Sequence, residues 1–187
     1  MYSSEYYEYY YEPMVVNSFI FAGIGIFCVL LVLAALMQKK LEQIPPKILY
    51  FYVMSFVSLV LVADGIAVIF DIAIWGGFNM DVRRAFLECV TVLIVALPAY
   101  LFHWKAILAG LDDEQEKIIW PYYKYAVMGF SAIGTIVFTG ALVYQLLGGV
   151  IGIAKVNWSE FSIVLGYGAV GAGVWAYHWF LERKFQI

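Results

Sequence analysis

Apolar residues dominate five stretches of the chain: Pro13 to Met37, Ile48 to Trp75, Ala85 to Ala109, Tyr125 to Leu147 and Phe161 to Leu181. Each reaches the roughly 20 helical residues needed to cross a hydrocarbon layer about 30 Å thick. The apolar positions run on without alternating, so the pattern predicts helices and not the strands of a barrel. Short polar connections separate them, the longest being GLDDEQEKIIWPYYK. Pro13 suits a first helical turn. Pro98 removes a backbone donor inside the third stretch and predicts a kink near Ile94 to Pro98. The predicted fold is an all-α membrane protein with five transmembrane helices.

The pattern also repeats. His103-Trp104 and His178-Trp179 contain the only two histidines, and each pair closes an apolar run just before a basic residue. VMSF at Val53 to Phe56 returns as VMGF at Val127 to Phe130, and Gly76-Gly77 returns as Gly148-Gly149. The offsets are 75, 74 and 72 residues, in one order along the chain. They predict a tandem repeat of two two-helix units, 47–109 and 122–184, with 13–37 as an extra N-terminal helix. Two spans per copy insert both copies the same way up, related by a pseudo-twofold axis along the membrane normal. Residues 1–12 hold six tyrosines and three glutamates and are expected to form an exposed acidic arm.

Composition agrees with the pattern. The chain of 187 residues is 64% hydrophobic and 13% charged, with a mean hydropathy of +0.84, more apolar surface than a water-soluble domain of this length can hide. The net charge is −3, and no basic run offers a surface for nucleic acid. No signal peptide is expected, because the first residues have no basic region. Cys28 and Cys89 lie in apolar runs and are expected to be buried, reduced thiols. With the N-terminus outside, the inner connections hold Lys39, Lys40, Lys47, Lys105, Lys117, Lys124, Arg183 and Lys184, and the outer ones hold Arg83, Arg84 and Lys155. Eight against three predicts a multi-pass cell-membrane protein with its N-terminus outside and its C-terminus in the cytoplasm.

The repeated phrases carry a resemblance. ILYFYVMSF, DVRR and ALPAYLFHW in the first copy, with YYKYAVMGF and VWAYHW in the second, resemble a family of uncharacterised prokaryotic membrane proteins with a duplicated two-helix domain of unknown function. The likeness covers about residues 47 to 184. The second copy departs from the pattern: it has no Arg pair at its turn, and Gly171-Ala172-Gly173 stand where the first copy has its proline region. The resemblance implies a fold and no activity.

Few groups could carry chemistry. Asp64 and Asp71 lie seven residues apart, on one helical face. Asp71 shares an outer level with Glu88, Arg83 and Arg84, which predicts an ion-pair cluster at the turn or an entry site for a proton or cation. Asp64 is near mid-bilayer, where a carboxyl is expected to be neutral and bonded to a hydroxyl. His103 and His178 have three readings: interfacial anchors beside their tryptophans, axial ligands of one haem held between the two helix ends, or, less directly, ligands of a chlorin. Gly168 with Ala172 and Ala169 with Gly173 have the four-residue spacing of a close helix-packing face. The G-x-G-x-x-G spacing at Gly166, Gly168 and Gly171 is no dinucleotide site, because no strand precedes it. No catalytic triad, phosphate loop or zinc spacing is present, so no metal site or enzymatic activity is expected. The leading expectation is a small polytopic subunit or accessory of a larger membrane assembly, in contact with lipid and with a membrane-protein partner or a second copy of itself. The alternatives are a proton or small-cation carrier using the carboxylates, and a membrane cytochrome.

Overall fold

The computed structural model describes residues 45–75, 80–110, 114–153 and 158–185. The tyrosine-rich arm, the 13–37 stretch, Cys28 and the Gly76-Gly77 turn lie outside the described residues. Four helices make up the rest: α1 (Pro46–Trp75), α2 (Met80–Gly110), α3 (Glu114–Ile151) and α4 (Trp158–Phe185). They correspond to the second to fifth apolar stretches. Three of them, α1, α2 and α3, are long and apolar enough to cross a membrane. α4 is not among these three; four glycines and the polar-tipped Tyr167, Tyr177 and His178 dilute its hydropathy.

The helices outrun the apolar stretches. α2 begins at Met80, so Arg83 and Arg84 are helical rather than part of a turn, and it runs on through Pro98 as one helix. α3 begins at Glu114, inside the connection expected to be a loop, and passes through Pro121. Tertiary packing accounts for that extension: Ile119, Trp120 and Tyr123 are all buried in the core. Glu114 and Glu116 also stand at the positive end of the helix dipole. The ends are explicit. Pro46 takes the first position of α1, where no backbone donor is needed, and the Ile48 N–H bonds the Pro45 carbonyl at 2.9 Å. At the end of α3, Gly152 has φ +72°. The Ile153 N–H reaches the Gly148 carbonyl at 3.0 Å, and the Gly152 N–H reaches Gly149 at 3.3 Å. These paired bonds form a Schellman cap, whose left-handed residue is most readily a glycine.

α1 packs on α2, α3 packs on α4, and α1 also packs on α4. The close approaches rest on missing side chains. A Cβ at Gly65 would stand 2.8 Å from Leu93 of α2, and one at Gly171 would stand 2.8 Å from the Thr135 hydroxyl of α3. The core gathers at one end of the bundle, where α1 and α3 begin and α2 and α4 end. Tyr52, Phe56, Trp104, Trp120, Tyr123 and Val127 form its centre. Towards the other end α3 loses burial: no described residue beyond Ser131 is buried on that helix.

Candidate functional site

Polar groups in an apolar bundle need partners, and those of α1 find them on α4. Asp71 is 4% exposed, and its carboxylate accepts a hydrogen bond from the Ser162 hydroxyl. Two turns back, the Asp64 carboxylate accepts one from the Tyr167 hydroxyl. Between the two bonds, a Cβ on Gly166 would lie 2.8 Å from the Ala67 backbone oxygen. Residue numbers rise along α1 (64, 67, 71) as they fall along α4 (167, 166, 162), so the helices are antiparallel at this seam. The glycine draws the backbones together, and a short serine and a long tyrosine then each reach a carboxylate.

Glu88 stands elsewhere. It pairs with Arg84 at 3.0 Å one turn away on α2, with the side chains 60% and 82% exposed. The structure therefore keeps Arg84 with Glu88 on an outward face while Asp71 is buried against Ser162. Arg83 is exposed as well. Cys89 is a free, half-buried thiol. Among the described residues, no three His, Cys, Asp or Glu side chains gather to hold a metal ion.

The histidines lie at the core end. The His103 Nδ1 stands 2.7 Å from the Ala99 carbonyl, and the His178 Nδ1 stands 2.9 Å from the Val174 carbonyl. A carbonyl only accepts, so each Nδ1 carries the proton and each Nε2 is left as an acceptor. Both Nε2 atoms are buried and find no hydrogen-bond partner among the described residues. The aromatic neighbours also recur at the 75-residue offset. Tyr100 stacks on Trp104 at 6.0 Å, as Trp175 stacks on Trp179 at 5.6 Å. The copies then diverge. The His103 ring meets Tyr50, Phe51 and Phe102, whereas His178 meets Trp104, Tyr123 and Tyr177. Trp104 is 6% exposed and Trp179 is 37% exposed. The Trp104 indole N–H donates to the Tyr177 hydroxyl at 2.9 Å, tying α2 to α4. A third polar contact lies beside it: the buried Ser55 and Tyr123 hydroxyls are 3.0 Å apart.

The expected small-residue face is only partly in contact. The Cβ position of Gly168 meets Phe138 at 3.6 Å, and that of Gly173 meets nothing within 4 Å. Ala169, Ala172 and Gly173 are exposed. The contacting glycines are Gly166 and Gly171, because the face of α4 turned to α1 and α3 carries Ser162 and His178 as well. Sequence reasoning missed Ser162 and Tyr167 as partners of the carboxylates. The available signal was Tyr167 itself, a phenol set between two glycines at the depth of Asp64.

The family described as "Domain of unknown function (DUF5671)" matches residues 49–176, more than half of the chain. The chain belongs to this family. The DUF5671 region takes in the α1–α4 seam, Arg84, Glu88 and His103, and it ends two residues before His178. No curated protein and no solved structure matches the chain.

Proposed function

We propose that this DUF5671 protein is an integral membrane protein that accepts and passes protons through its interior. The observation that carries the reading is the seam in which Asp64 and Asp71 each take a hydroxyl of α4. A charged carboxylate at mid-bilayer costs about 2.5–3.5 kcal/mol or more, so acidic groups held inside a bundle mark sites for protons or ions. A proton needs one donor and one acceptor at each step, and each pair in the seam supplies both. A cation needs several oxygens around one point, and neither carboxylate in the seam is held by more than the hydroxyl described. In proteoliposomes with an imposed pH gradient, the wild type is expected to move protons and Asp64→Asn to stop them. Equal flux in the two would overturn the reading.

The membrane setting is part of the proposal. Three lipid-length helices and two further apolar stretches support five spans, and the Lys and Arg count supports an N-terminus outside. The paired His–carbonyl bonds and the paired stacks at one offset support the tandem duplication.

A second reading, as a subunit of a larger assembly, is favoured by α3. Gly129 and Gly140 lie about three turns apart on one helical face, both exposed, with nothing near their Cβ positions. Glycine weakens a helix by about 1 kcal/mol relative to alanine, and a neighbouring helix approaching closely gives it a use. Native gels in mild detergent test this reading; a strictly monomeric species with nothing co-purifying would remove it.

A further inference from the structure

We propose that the inner end of the proton route is His178, reached from Asp64 through the Ser55–Tyr123 hydroxyl pair, and that His103, its counterpart in the repeat, is not on the route. This inference rests on the proton-passing reading above.

Helical register supplies the geometry. Ser162 faces Asp71 across two antiparallel helices. Ser55 lies sixteen residues before Asp71, and His178 lies sixteen residues after Ser162. Both steps measure about 24 Å at 1.5 Å per residue, so Ser55 and His178 share one level near the opposite end of the bundle. The side chains agree with that register. The Ser55 and Tyr123 hydroxyls are in contact at 3.0 Å, and the Tyr123 ring lies 6.4 Å from the His178 ring. The length of this interval approaches the roughly 30 Å of a hydrocarbon core.

Between Asp64 and Ser55 the interval is about 13 Å, and it is lined with hydroxyls. Ser58 and Ser131 are buried there, and Thr135 stands against α4 beside Gly171. Each gives its proton to a carbonyl of its own helix, which leaves oxygen lone pairs for water. The terminus itself is an acceptor. The Nδ1–H of His178 is held by Val174, and its Nε2 is buried and unpartnered. His178 also packs on Trp104 of α2 and on its neighbour Tyr177, and neither is charged. The His103 Nε2 is equally unpartnered, but its ring meets Tyr50, Phe51 and Phe102 and none of the hydroxyls of this interval.

The transfer balances with water as the only co-reactant. The Asp64 carboxyl releases a proton to water, and the water chain delivers one to Ser55. Ser55 passes its own proton to Tyr123, and Tyr123 passes its own through water to Nε2 of His178. Every hydroxyl oxygen loses one proton and gains one, leaving Asp64 as a carboxylate and His178 as an imidazolium. Release of the Nε2 proton to the inner medium, and uptake of one through Asp71, restore both ends.

The test uses the full-length protein in proteoliposomes under an imposed pH gradient. Tyr123→Phe and His178→Gln are expected to slow proton flux at least tenfold, and His103→Gln to leave it within twofold of wild type. Ser55→Ala, a smaller change, should slow it as well if the aromatic variants fold poorly. Wild-type flux in Ser55→Ala, Tyr123→Phe and His178→Gln, alongside loss in Asp64→Asn, would overturn this route while leaving the carboxylate reading intact. So would an equal loss in His103→Gln. A wild-type protein that moves no protons would overturn both.

Discussion

The Tyr167 hydroxyl donates a hydrogen bond to Asp64 across the contact of α1 and α4, joining two residues 103 positions apart. Removing the donor leaves a half-buried carboxylate without that partner. Tyr167→Phe keeps the ring stacked on Phe138 and deletes only the hydroxyl, so the expected loss is about 1–3 kcal/mol. Thermal unfolding in detergent checks it, and Asp64→Asn, which can still accept from Tyr167, should be milder. An unchanged midpoint in Tyr167→Phe would show that the bond contributes nothing.

Much of the bundle could be read along the chain because four of its apolar stretches are continuous and their connections short. The shared face of Asp64 and Asp71 followed from their seven-residue spacing. The identity of their partners did not follow, because which face of α4 turns inward depends on packing. Gly166 and Gly171 fit the close approaches, whereas Ala169 and Gly173, equally small, point outward. The start of α3 was hidden for a related reason. DDEQEKIIWP reads as a polar loop ending in a proline, and only the burial of Ile119 and Trp120 makes helix the better solution.

Gly166 supplies the sharpest steric test. An added Cβ would meet backbone at 2.8 Å, and backbone cannot swing aside as a side chain can. Gly166→Ala must push α4 away from α1 and is expected to cost about 1–3 kcal/mol, stretching both carboxylate bonds together. Gly173→Ala, with open space around it, should be neutral or slightly stabilising through helix propensity. The two thermal midpoints compared side by side give the result; a Gly166→Ala protein as stable as Gly173→Ala would mean that the seam is looser than described.

Trp104 and Trp179 hold equivalent places in the repeat but unequal places in the fold. Trp104 is buried against Trp120, Tyr123 and His178 and bonds Tyr177. Trp104→Ala should therefore cost about 3–5 kcal/mol, as for other buried tryptophans. Trp179→Ala removes a ring that is 37% exposed and should cost clearly less. Equal losses would contradict the asymmetry between the two copies.

The orientation proposed from the Lys and Arg count can be read by labelling. With Cys28 and Cys89 replaced by serine, a single cysteine at Asn79 is expected to react with a membrane-impermeant maleimide from outside intact cells. One at Gln115 should react only after the membrane is opened. The reverse pattern would invert the topology and exchange the two ends of the proposed proton route.

Absorption of the purified protein decides whether the histidines hold a haem. Two axial imidazoles on one iron must present their Nε2 atoms to opposite faces of a single flat slot, each about 2 Å from the metal, by analogy with other nitrogen–metal bonds. The fixed Nδ1 bonds would suit that duty, but the surroundings differ: His178 packs on Trp104 and Tyr123, and His103 packs on Tyr50 and Phe51. The bulky rings of Trp104, Trp120 and Tyr123 fill the core beside His178. Protein expressed with ample haem is therefore expected to show no Soret band, oxidised or after dithionite. A Soret band lost in both His103→Ala and His178→Ala would establish the haem instead, and would require this aromatic core to open around it.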